Sequence, residues 1–179
     1  MRTPPDTVSK LDAARRQLST AISLFLREQD TVSTHTLTAA GHQILRNLAK
    51  LRGISSLIKD NPHVRPERRA EFIAAVNEAE NFFKHADRDP DAVLEFRPAQ
   101  TEYLLQDAVL LYHQLAGRHF YNGTVYLIWF IARHPDLIDL DGLPEISSLL
   151  QTVGPPESVE RGDLVGFLDR PSTLPNVDA

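Results

Sequence analysis

Four side chains at the end of one amphipathic stretch are the best placed in this sequence to do chemistry. In NEAENFFKHADRDPDAVLEF, residues 77–96, Asn77, Asn81 and His85 recur at intervals of four, and Lys84 adjoins the histidine. On a helix this spacing puts the three on one strip. A neutral imidazole is a general base and its cation a general acid. A neighbouring amide can hold a phosphate or a water, and an ammonium can offer charge to an anion. The combination suits metal-independent RNA cleavage, with the base activating a ribose 2′-OH. His85 and Lys84 are thus the candidate catalytic residues, and Asn77, Asn81 and Asp87 the candidate ligand-binding ones. The same residue types also have structural uses. Cations in a last helical turn meet the helix dipole favourably, and Asp87 and Asp89 are ordinary turn formers.

Other chemistries lack their residues. The chain has no cysteine, which removes disulfides and thiolate metal sites. It has no Gly-x-Ser-x-Gly elbow and no glycine-rich phosphate loop. Asp87, Asp89, Asp91 and Glu95 superficially resemble a calcium loop, but Pro90 interrupts them and the turn glycine is missing. His35 and His42, seven apart on one helix face, read as polar groups at a packing edge. Neither a metal nor a cofactor is expected.

Helices must position these groups. The first is expected to run to about Gln29 from a cap at Ser9 or Thr7, with Val8, Leu11, Ala14, Leu18, Ile22 and Phe25 as its apolar stripe. A second, from Ser33 or Thr34 to Gly53, pairs with it as an antiparallel hairpin. Pro66 opens a third helix reaching about Ala86, with Phe72, Val76, Ala79 and Phe83 inward. Residues 92–96, AVLEF, read as an extended segment laid across the bundle. Pro98 and Gly117 bracket a fourth helix, Ala99 to Ala116, apolar on so many sides that it should be central. A fifth, about Thr124 to Arg133, carries VYLIWFI. Its aromatic residues, with Phe120 and Tyr121, could stack bases, but self-association is the expected use of so apolar a helix. Pro144 starts a last short helix.

The fold class is therefore all-α, a five- to six-helix up-down bundle. Residues 1–151 form a single helical domain, and residues 152–179 form a loosely ordered, irregular acidic C-terminal tail. The 179 residues suffice for one sizeable core. The net charge is −5. The tail's five acidic residues against Arg161 and Arg170 leave about −2 for the rest, which argues against extensive salt-driven nucleic-acid binding. The longest apolar run is Val125–Ile131, too short for a membrane span. No leader segment is apparent, and a cytoplasmic location is expected.

The two-hairpin helical core, with Asn81-x-x-x-His85 on its third helix, resembles the HEPN superfamily over roughly residues 8–120. That pattern places an Arg directly before the polar residue; here the position holds Glu80, a reversal of charge. The stretch NFFKHADRDPDAVLEF also resembles segments of bacterial proteins with no assigned activity. The resemblance implies a small all-α homodimer acting on RNA or nucleotide, and many members are ribonucleases of toxin–antitoxin or defence systems. With Glu80 in place of Arg, the expected function is a non-catalytic binding or regulatory module. The alternatives are a metal-independent ribonuclease and a protein-interaction scaffold without a small-molecule site.

Overall fold

The computed structural model describes residues 5–87, 89–137, 158–169 and 177–178. The helix expected from Pro144 lies outside the described residues. The described part is mainly helical, as the sequence patterning predicts. Among the described residues the only strand pairing is a two-residue parallel bridge, His119–Phe120 with Val177–Asp178.

Helix α1 spans Lys10–Leu26, capped by Ser9, whose hydroxyl oxygen accepts from Asp12 N–H at 3.1 Å. Helix α2 spans Thr31–Lys50 and starts earlier than expected, because Asp30 caps it through Ser33 N–H at 2.7 Å. Close approach of the two helices depends on small residues of α2. A Cβ on Gly41 would lie 3.0 Å from the Leu18 side chain.

The expected third helix is broken. A 3-10 turn at Pro66–Arg68 leads into α3, Arg69–Val76, and α4, Glu78–Lys84, follows after a kink at Asn77. No residue of α3 is buried, and Ala79 is the only buried residue of α4. The expected inward stripe of Phe72, Val76 and Phe83 is thus only half-covered. Residues 92–97 form no regular element, Phe96 N–H donates to the Leu94 carbonyl at 3.0 Å, and the Phe96 ring packs on Phe83 and His35.

Helix α5, Ala99–Ala116, follows Pro98 and ends at Gly117, whose φ is 70°. Helix α6, Tyr121–Arg133, starts three residues before the expected Thr124. Asn122 and Gly123 belong to its first turn, and Asn122 Nδ2 donates to the Ser19 carbonyl at 3.0 Å. Every side chain of Val125–Ile131 is at most 7% exposed within the single chain. The run is therefore core. The expected self-associating surface on it is corrected, because α1, α5 and the C-terminal segment cover it. Each such side chain contributes about 2 kcal/mol of burial.

The acidic tail is also more ordered than expected between residues 158 and 169. Helix α7, Arg161–Leu168, begins with a reciprocal capping box between Glu160 and Asp163, and it buries Leu164 completely. The Arg161 guanidinium lies 4.0 Å over the Phe25 ring and 2.9 Å from Glu102. Asp169 pairs with Arg27 at 2.5 Å. No described helix is long and apolar enough to cross a membrane.

A methyl group on Gly123 would sit 2.7 Å from the Phe120 ring, whereas one on Gly162 meets nothing within 4 Å. Gly123→Ala is expected to lower stability by about 1–3 kcal/mol, read from the urea midpoint. Gly162→Ala should leave that midpoint unshifted or raise it.

Candidate functional site

Two polar centres connect the helices and determine what the strip at residues 77–87 can do. The inner one is Asp107, a carboxylate in the middle of the apolar face of α5 and only 2% exposed. His42 of α2 donates to it from Nε2 at 2.8 Å. The Ser56 hydroxyl donates to the same oxygen. The backbone N–H groups of Leu57 and Ile58 add bonds at 3.0 and 3.4 Å. Burial alone would raise the Asp107 pKa. The bonds from His42, Ser56 and Leu57 outweigh it and hold the carboxyl below its usual range. One buried anion thus fixes the irregular segment after α2 against α2 and α5.

The outer centre is a buried ion-pair chain. Lys59 is 2% exposed, and its Nζ lies 3.3 Å from the Glu80 carboxylate. Lys84 reaches the other oxygen of Glu80 at 2.6 Å. Burial pushes Lys59 below its ordinary value, and Glu80 partly offsets this. Burial would also raise Glu80, but Lys84 and Lys59 prevail and hold it low. Nearby, Asp60 takes two bonds from Arg46, at 2.9 and 2.5 Å.

The strip expected from the sequence is only partly assembled. Asn81 and His85 line one open groove of about 590 Å³ beside α4. Lys84 is drawn away to Glu80. Asn77, at the kink, is half-buried, and its side-chain oxygen has no hydrogen-bond partner. Asp87 is exposed, 4.0 Å from His85 Nδ1, and the His85 side chain itself is 46% exposed. The groove is also lined by apolar Phe82, Ala92, Val93 and Leu94 and by acidic Glu71, Glu78 and Asp89. Among the described residues no cluster of three metal-ligating side chains occurs.

The expectation that His35 and His42 are packing-edge groups captures their polarity but not their depth. Both are fully enclosed. His35 bonds through Nδ1 to Thr101 Oγ1 at 3.0 Å, and its Nε2 has no partner. Burial lowers its pKa from the usual 6.5, with a smaller opposing effect from Glu80. Sequence reasoning passed over Asp107 and Lys59. The available signal was a lone acid inside the apolar stretch LLQDAVLLY and a lone lysine directly after an apolar turn. No known protein family, curated protein or solved structure matches the chain.

Replacing Glu80 by Gln leaves Lys59 buried without a counter-charge, at an expected cost of about 3 kcal/mol. Lys59→Met in the same chain should recover most of it, as measured by denaturant unfolding. The pH dependence has a definite sign. Because His35 is depressed from 6.5, the unfolded chain binds the extra proton first, so stability falls as pH drops below 6.5. Asp107 and Glu80 are depressed too, so their contributions are present above their ordinary carboxyl values and are lost as pH falls through the lower folded ones. His35→Phe should remove the first phase of acid destabilisation and leave the second.

Proposed function

We propose that the chain is a HEPN-like, non-catalytic binding module that takes a protein segment with an apolar anchor and basic flanks into the groove beside α4. The observation that carries this reading is the commitment of Glu80. Where the family pattern has an arginine, this chain has a carboxylate that neutralises buried Lys59 and ties up Lys84. Of the two cations that could have met a phosphate, Lys59 is buried and Lys84, at the surface, is paired with Glu80. The His85 Nδ1 atom lies 4.0 Å from an Asp87 carboxylate oxygen.

The rest of the groove supports a protein ligand over RNA. Its lining offers Phe82, Leu94 and Val93, the last 92% exposed. The acidic lining of Glu71, Glu78 and Asp89 repels a phosphate backbone and attracts lysine or arginine. The family resemblance rests on the Asn81-x-x-x-His85 spacing and on a helical core, here the hairpin of α1 and α2 packed against α5. That resemblance also implies a homodimer, which sedimentation at increasing concentration checks directly.

An amphipathic helical peptide of leucine and lysine is a suitable probe. It should perturb the backbone resonances of Phe82, Val93 and Leu94, and bind about tenfold more weakly to Val93→Ser and more weakly in high salt. In parallel, wild type and His85→Ala should be equally inert towards single-stranded RNA. RNA cleavage that disappears in His85→Ala would replace this reading with the ribonuclease.

A further inference from the structure

A second groove lies between α3 and the body, and its chemistry differs from that beside α4. It has a volume of about 470 Å³, within the range of small-molecule sites. Its lining includes Leu57, Phe72, Val76, Tyr103 and Leu104, together with the edge of His35. Among the described residues no charged side chain lines it, and Asn61 and Gln100 add two neutral amides. Leu57 and Tyr103 are 61% and 45% exposed, so a substantial part of this apolar surface meets water.

We propose that this groove binds a neutral, largely apolar small molecule carrying one hydroxyl group, which hydrogen-bonds to His35 Nε2. Three features of the site define that ligand. The absence of charged lining gives no partner to an ionic ligand, whose desolvation would be uncompensated. The apolar side chains and the Tyr103 ring supply the contact area for a hydrocarbon or aromatic body. Beside the amides of Asn61 and Gln100, His35 supplies the enclosed polar point: its ring is fixed by Thr101 on Nδ1 and packs against Phe83 and Phe96, while Nε2 lacks a partner. A buried ring nitrogen left without a bond costs free energy that a ligand can recover. A hydroxyl can donate or accept, so it serves either tautomer of the ring. Because burial keeps His35 below its usual pKa, the ring faces the ligand as neutral imidazole near neutral pH.

The groove is distinct from the one assigned to a protein segment, although exposed Ala75 of α3 borders both. Failure of one assignment leaves the other standing.

Titration of the intact chain with 2-naphthol and with naphthalene, followed by the imidazole nitrogen resonances, tests the proposal. The expected result is saturable binding of 2-naphthol with a shift of His35 Nε2, about tenfold tighter than naphthalene, the value of one well-placed hydrogen bond. His35→Phe should erase the difference between the two probes. Ala75→Trp, a surface change that fills the groove, should block both. Since His35→Phe also removes the bond to Thr101, the wild-type resonance shift stands as an independent reading. Equal affinity for the two probes, unmoved His35 resonances, or unimpaired binding to Ala75→Trp would overturn the proposal. So would loss of 2-naphthol binding as the chain dimerises, which would assign the groove to a second copy.

Discussion

The Asp107 carboxylate is the interaction on which the arrangement of the helices depends. It sits among the apolar side chains of α5, where an unpaired charge would cost far more than the chain could offset. Four donors from two other parts of the chain converge on it: His42 from α2, and Ser56, Leu57 and Ile58 from the turn that follows. Apolar packing brings α1, α2, α5 and α6 together but leaves their relative register weakly specified. A buried anion with a fixed set of donors specifies it, because any shift strands the carboxylate. The segment between α2 and α3 has no regular hydrogen-bond ladder of its own, so this convergence is what orders it.

Order in that segment then sets the character of the surface beyond. Once Ser56 to Ile58 are fixed on Asp107, Lys59 is carried inward, and Ser56 Oγ accepts from its backbone N–H at 2.8 Å. A buried ammonium needs a carboxylate, and Glu80 of α4 supplies it. The α3–α4 arm is therefore attached by an ion pair and a few aromatic edges rather than by a buried apolar face, since no residue of α3 is buried. This explains the two grooves that flank it. It also explains why the strip at residues 77–87 lacks the positive charge that phosphoryl chemistry needs.

Much of this fold was legible from local signals. Helix α5 has the limits that Pro98 and Gly117 mark, because a proline start and a left-handed glycine stop act within one turn. The identity of VYLIWFI as a helix followed from the lack of strands to pair with it, but its fate as core rather than interface depended on what covers it. Long-range partners were not legible. His35 and His42 are 66 and 65 residues from the groups they bond, so their spacing revealed a shared face and nothing of its depth. The break at Asn77 was hidden because its neighbours all favour helix. In the C-terminal segment Leu164 is buried in the core with Val165, Phe167 and Leu168 packed against it, and Arg161 lies over the Phe25 ring, a contact no local pattern announces. In the candidate site, Asn81 and His85 were found together as expected. The pairing of Lys84 with Glu80 was not foreseen, because Glu80 looked like a missing arginine rather than a counter-ion.

The claim that Glu80 is a structural counter-ion is tested most directly by following its carboxyl carbon and the Lys59 ammonium by NMR as a function of pH. The expected result is a Glu80 midpoint below the ordinary 4.5 together with slowly exchanging Lys59 ammonium protons. A Glu80 midpoint at or above 4.5, with Lys59 exchanging as fast as a surface lysine, would contradict it.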